Sequence, residues 1–308
     1  MSPDSTEARI APEHNDRLRP RRADVVGGYD LGTDVYEALW SPVILPPAAA
    51  LVRSLRLTGR CVVADVGAGT GALLGVVRSA ASDARVVAID ASAGMLHLAR
   101  TRRGAAAVRA DALALPLAGA AADAVILAYV LFHLTDPPLA LAEARRVLRP
   151  GGRVAAITWA WERASRADTV WDQILTEAGV PPAPLRRVDA GLDRPASMEA
   201  LLSSAGLRPD RIWTERLRHR WDRSSFWELA TGWGANRARL SRLDATTRAS
   251  VLTRVHGRLG QLAPQDYIWE GEIICAVATK GTGGRAEPDN PCVATRLVDA
   301  APSRSSSL

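Results

Sequence analysis

The stretch Val62-Val63-Ala64-Asp65-Val66-Gly67-Ala68-Gly69-Thr70-Gly71 constrains this chain more than any other. Its apolar, β-branched start reads as a buried strand, a glycine-punctuated turn follows, and Ala72-Leu73-Leu74-Gly75-Val76-Val77 opens a helix. Such a unit lets backbone N–H groups approach a ligand that ordinary side chains would block. Alone it is shared by dinucleotide sites and plain tight turns. The next segments narrow the choice. Arg85-Val86-Val87-Ala88-Ile89-Asp90 is a second strand ending in an acid, nineteen positions after Gly71 (90 − 71). A βαβ nucleotide site places a carboxylate for ribose hydroxyls at about that distance. A third strand, Ala106 to Ala110, ends at Asp111 and is followed by Ala112-Leu113-Ala114-Leu115-Pro116-Leu117. An acid there has little use in a dinucleotide fold, but suits a site gripping an adenine amino group.

Further landmarks follow in order: Asp90-Ala-Ser-Ala-Gly-Met95-Leu96, Arg109-Ala-Asp111-Ala112, Asp123-Ala-Val-Ile-Leu, His133-Leu-Thr-Asp136 and Glu143-Ala-Arg-Arg-Val-Leu-Arg-Pro150-Gly151-Gly152. With the glycine turn, they make the chain resemble the class I S-adenosylmethionine-dependent methyltransferases. The likeness is to the group holding quinone-biosynthesis C-methyltransferases and many natural-product methyltransferases, and it is dense from Val62 to Trp159. It implies an α/β fold: a Rossmann-like, seven-stranded, mostly parallel sheet with helices on both faces, plus a helical lid inserted near the C-terminus. It also implies S-adenosylmethionine as cofactor, S-adenosylhomocysteine as product, and no required metal.

The resemblance assigns roles to individual positions. Gly67, Ala68, Gly69 and Gly71 would pass close under the cofactor, with Asp65 near its methionine end. Asp90, with Ala91, would take the ribose hydroxyls, since an ionised carboxylate is an acceptor suited to a diol. Asp111 would accept from the adenine amino group while the Ala112 N–H donates to a ring nitrogen; Met95 and Leu113 would wall the base. Ala128 and Tyr129 fall at the methionine end. An aspartate ending a strand is also a common helix N-cap, and that reading stays open for Asp90 and Asp111 taken singly.

His133, just after the fourth strand, is the candidate general base, since imidazole works near neutral pH; a loop-holding role is the alternative. Tyr29, Tyr36, Trp159 and Trp233 are candidate substrate-pocket residues, the alternative being simple packing. Eight of the nine tryptophans follow residue 158 (Trp40 alone precedes it), and large flat side chains suit an apolar or aromatic guest.

Organisation follows the same signals. Residues 1–24 are polar and Pro/Arg-rich and read as a disordered tail. Residues 25–59 read as a helical segment over the cofactor mouth, with Pro42, Pro46 and Pro47 breaking it before a helix from Ala48 to Leu55. Residues 60–160 form the cofactor-binding core, and 161–280 complete the sheet, with the lid at about 222–268. Residues 281–308 read as a flexible tail. The charge of +6 comes from scattered arginines, Lys280 being the only lysine, so no basic track for nucleic acid is expected. Cys61, Cys275 and Cys292 show neither metal nor disulfide spacing, which fits a reducing cytoplasm. The apolar runs are strand-sized, so no membrane span is expected. The expected function is methyl transfer to O, C or N of a small apolar or aromatic molecule by a monomer or homodimer. The alternative is an S-adenosylmethionine-binding protein that transfers nothing, being regulatory or catalysing cyclisation or rearrangement.

Overall fold

The computed structural model describes residues 22–181 and 192–282. The expected terminal tails, Cys292 and most of the proline-rich stretch lie outside the described residues. Seven strands, β1 (Val62–Val66), β2 (Arg85–Asp90), β3 (Ala106–Arg109), β4 (Ala122–Ala128), β5 (Leu148–Arg163), β6 (Leu207–Arg220) and β7 (Ile268–Lys280), form one sheet ordered β3-β2-β1-β4-β5-β7-β6. The first five run parallel, and β7 inserts antiparallel between β5 and β6. The expected Rossmann-like sheet is therefore the observed one.

The central strands read as unbroken apolar runs because both faces are covered. Along β4, Ala124 and Ile126 pack in one core while Val125 and Leu127 pack in the other. Along β7, Ile273, Cys275 and Val277 alternate in the same way with Ile274, Ala276 and Ala278. Helix α4 (Leu73–Ala80) serves the first core; α6 (Pro137–Val147) and α8 (Pro195–Ser204) serve the second. Cys61 and Cys275 are free, buried thiols.

The N-terminal segment departs from expectation. Its prolines do not break it: α2 (Thr33–Val35), a π-helical turn at Tyr36–Trp40 and α3 (Ser41–Ser54) run on without interruption, after α1 (Arg22–Leu31). Pro42 is the second residue of α3, directly after the π-helical turn. Pro46 and Pro47 lie inside α3, held there because Ile44, Ala48, Leu51 and Val52 bury against the sheet. Thr33–Ser54 is thus 22 residues long and, by length and hydropathy, apolar enough to cross a membrane. The strand-sized limit expected for apolar runs does not hold there.

Helix α5 (Ala93–Arg103) is capped by Ser92, whose hydroxyl accepts from the Met95 N–H, and ends on Gly104 in the left-handed region. Helix α7 (Arg166–Glu177) follows β5, and three helices, α9 (Arg223–Gly232), α10 (Gly234–Leu240) and α11 (Ala245–Leu259), sit between β6 and β7. Trp171 of α7 is fully buried and packs edge-on against Phe226 and Trp227 of α9, fastening this insertion to the core. Trp171→Ala leaves a large void there and lowers the unfolding free energy by about 3–5 kcal/mol, read from urea denaturation followed by circular dichroism.

Candidate functional site

A cleft opens over the carboxyl ends of β1 to β5, where the strand order reverses between β1 and β4. Ligands of open α/β sheets bind at that reversal. With its open mouth the cleft encloses about 1070 Å³.

One half is built by the glycine turn and the acids. Gly67 and Gly69 line it, with Asp90 and Ala91 at the end of β2 and Met95 on α5. Ala110, Asp111, Ala112 and Leu113 follow β3 along the same wall. Gly69 adopts φ +56°, and a Cβ there would meet nothing within 4 Å, so its backbone faces open space. Its N–H donates to Asp90 Oδ2 at 2.8 Å, and the Ser92 N–H donates to Asp90 Oδ1 at 2.8 Å. Asp90 caps no helix; Ser92 does. Asp111 also caps none: its Oδ1 accepts from the Leu113 N–H at 3.0 Å, two residues on, and no helix follows. The helix-cap alternative for both acids therefore fails.

Three expected residues stand back from the cleft. The N–H of Ala68 donates to the Ile89 carbonyl at 3.1 Å and so faces β2. Gly71 lies where a Cβ would meet Ala99 Cβ and Leu74 Cδ1, each at 3.2 Å, so its bare backbone admits α5 rather than a ligand. Asp65 is 2% exposed, and its Oδ2 has no hydrogen-bond partner. Burial, with the Asp90 charge adding to it, pushes the Asp65 carboxyl up to about 7. Burial also raises Asp90, opposed by its backbone donors, and the Asp30 charge raises it further. An uncompensated acid pair beside an open glycine turn fits a guest that carries hydroxyls and a positive charge.

The other half is aromatic. Tyr29, Tyr36 and Trp40 from the N-terminal segment face Tyr129 and Phe132 beyond β4, and Trp159 of β5. Trp40 and Tyr36 are the two ends of the π-helical turn. Trp233 does not line the cleft: its ring packs on Tyr29, Tyr36 and Trp40, with centroids 5.8, 5.3 and 6.0 Å away, and backs that wall. Among the described residues, none of the α9–α11 insertion lines the cleft, whereas Val26, Tyr29, Tyr36, Trp40 and Ile44 of the N-terminal segment do. Ala128 and Tyr129 line the floor. Tyr129 holds φ +59°, uncommon for a bulky residue, and its hydroxyl donates to the Ile44 carbonyl at 3.3 Å. Burial keeps this phenol protonated well above its usual range. His133 lines the same half, its Nε2 3.0 Å from the Tyr29 hydroxyl.

The sequence reading missed how the cover is fastened. Asp30 Oδ1 accepts from the Ser92 hydroxyl at 2.5 Å and from the Gly94 N–H at 2.9 Å, at the amino end of α5. Asp34 pairs with Arg102 at 2.7 Å, and Glu37 accepts from both Thr70 and Arg103. Three carboxylates thus face one helix and the glycine turn. Asp30 to Glu37 was legible only as acids among aromatics, with no partner in sight. Among the described residues, no group of three His, Cys, Asp or Glu is placed to hold a metal ion.

Asp65 generates a pH prediction. Its folded value lies above the free value of 3.8, so the stability it contributes is complete below pH 3.8 and lost as pH rises through about 7. Between about pH 4 and 7 the ligand-free protein loses this stability, and Asp65→Asn flattens that fall by an amount of the order of a few kcal/mol. Urea titrations at each pH measure it.

Known proteins agree with this geometry. Residues 64–156 match the family described as a methyltransferase domain. The demethylmenaquinone methyltransferase of Renibacterium salmoninarum is 32% identical over 160 residues, covering 50% of this chain and 64% of that protein. The malonyl-[acyl-carrier protein] O-methyltransferase of Hahella chejuensis is 36% identical over 112 residues, 35% of this chain and 40% of that one. The chain thus spans less than two thirds of the length of these relatives. Among solved structures, the [4+2]-cyclase SpnF shares the fold, with a TM-score of 0.54 and 19% identity over 86% of this chain and 98% of that chain. Residues 64–156 are thus similar to methyltransferase domains in sequence, and the chain shares its fold with a solved structure at 19% identity.

Proposed function

We propose that the chain transfers a methyl group from S-adenosylmethionine to a small, uncharged, apolar or aromatic acceptor. The observation that carries this reading is the division of one cleft into an acid-and-glycine half and an aromatic half. When bound, the cofactor supplies an electrophilic methyl on a sulfonium. The chain's own task is to hold two reactants in line, keep water out and accept one proton.

In this reading the backbone donors on Asp90 aim its carboxylate at the ribose hydroxyls, each oxygen keeping a second lone pair. Asp111 and the Ala112 N–H read the adenine edge, with Met95 and Leu113 as apolar walls. Asp65, Ala128 and Tyr129 surround the methionine end, where ionised Asp65 favours a cation. The acceptor lies among Tyr29, Tyr36, Trp40 and Trp159, and His133 is the base on which the released proton ends. Among the described residues that line the cleft, the carboxylates are Asp90 and Asp111, both in the cofactor half. The N-terminal segment is the cover of the site; the α9–α11 insertion supports it from behind. No nucleic-acid partner is part of this reading, and a monomer or homodimer suffices for it.

Two measurements test it. Asp90→Ala weakens S-adenosylhomocysteine binding by at least about tenfold in calorimetry, the loss of a charge-assisted donor–acceptor pair, while circular dichroism stays that of the folded protein. An unchanged affinity removes the assignment. Incubation with S-adenosylmethionine and a panel of phenols, quinols and aromatic amines yields S-adenosylhomocysteine and a methylated product. Binding without either product, across the panel, favours the use of the sulfonium for another reaction or for regulation.

A further inference from the structure

We propose that Tyr29 is a catalytic residue, the group that takes the acceptor's proton, and that His133 serves as its base. This rests on the methyl-transfer reading above and adds to it both a residue and a property of the acceptor. The acceptor is protic: a phenol, an enolisable ring or an amine that gives up a proton on methylation.

The titratable side chains that line the cleft are Tyr29, Tyr36, Asp90, Asp111, Tyr129 and His133. Asp90 and Asp111 are tied to backbone N–H groups in the cofactor half. Tyr129 spends its hydroxyl proton on the Ile44 carbonyl. In the aromatic half, Tyr29 and His133 are joined to each other, hydroxyl to Nε2 at 3.0 Å, across 104 residues of sequence.

The pair is held from several sides. The Tyr29 ring meets His133 edge-on at 5.5 Å, Tyr36 at 5.7 Å and Trp233 at 5.8 Å, so it has little freedom to swing. Phe132 lies 4.1 Å from the His133 ring. The next residue, Asp30, bonds the amino end of α5, which fixes the Tyr29 backbone to the turn that carries Asp90. A side chain that arrives from a separate segment, is pinned at both ends and meets an imidazole in the cavity wall has the geometry of a proton relay.

Written out, the acceptor's proton passes to the Tyr29 oxygen as the Tyr29 proton passes to His133 Nε2. The acceptor's freed electron pair forms the bond to the methyl carbon, and the pair of the carbon–sulfur bond stays on sulfur. The positive charge lost at sulfur reappears on the imidazolium, which returns its proton to solvent after product leaves. The relay needs the resting imidazole to carry its proton on Nδ1, so that Nε2 accepts.

The test uses the full chain loaded with S-adenosylhomocysteine. Long-range proton–nitrogen correlation spectra, with the ring assigned through His133→Gln, read the tautomer. The expected result is an Nδ1-protonated ring in the wild type and loss of that preference in Tyr29→Phe. A proton on Nε2, or a tautomer unmoved by Tyr29→Phe, overturns the relay. On any acceptor that forms product in the assay above, Tyr29→Phe and His133→Gln each lower kcat about 100-fold. KM stays within about threefold, and the double variant is no slower than the slower single one, as for groups acting as a unit. Additive losses, or Tyr29→Phe turnover within about threefold of wild type, overturn it too. The spectra need no acceptor, so failure of the relay and failure of methyl transfer give different results.

Discussion

The contact on which the site depends is the pair of backbone N–H groups that converge on Asp90. Gly69 and Ser92 lie on turns after different strands, and each donates to one oxygen of the same carboxylate. This sets the height of the glycine turn relative to the end of β2. Ser92 then does three things: it donates its amide to Asp90, accepts from the Met95 amide as the cap of α5, and donates its hydroxyl to Asp30. A short chain of hydrogen bonds thus joins the sheet, the first layer of helices and the cover above the cleft. Each link is charge-assisted, the stronger class of hydrogen bond, except the cap.

That arrangement brings carboxylates together in a buried place. Burial is the main cause of the raised carboxyls of Asp65 and Asp90, with the Asp90 charge adding to the first and the Asp30 charge to the second. A site strained in this way relaxes when a cation enters, so its electrostatics favour a positively charged guest before any specific contact forms. The aromatic half works by a different means. It offers area and shape, rigid rings with little entropy to lose, and an acceptor held there is selected by fit rather than by charge.

Much of this was readable from the chain. Val62–Gly71, Asp90 and Asp111 are contiguous motifs whose meaning comes from local backbone geometry, so strand order, turn and acids emerged together. Tyr29, Tyr36 and Trp159 also reached the cleft. What failed did so for physical reasons. Ala68 and Gly71 look like their neighbours in sequence, but one turns its amide to β2 and the other makes room for Ala99, and only packing separates these uses. Pro46 and Pro47 signalled a break that burial of Leu51 and Val52 overrode, since each buried aliphatic side chain contributes about 1.5–3 kcal/mol. Trp233 missed the cleft because three other rings stand in front of it. The ties of Asp30, Asp34 and Glu37 join residues dozens of positions apart, and no local pattern encodes them.

The π-helical turn at Tyr36–Trp40 carries one residue more than an α-helix would fit in the same rise. Removing a residue inside it would restore an ordinary helix of the same rise, so the helices on either side would keep their places. Tyr36 and Trp40, the two ends of the turn and both part of the cleft wall, would lose the wider spacing that the extra residue gives them. A single codon can therefore reshape the aromatic wall while α1 and α3 stay seated.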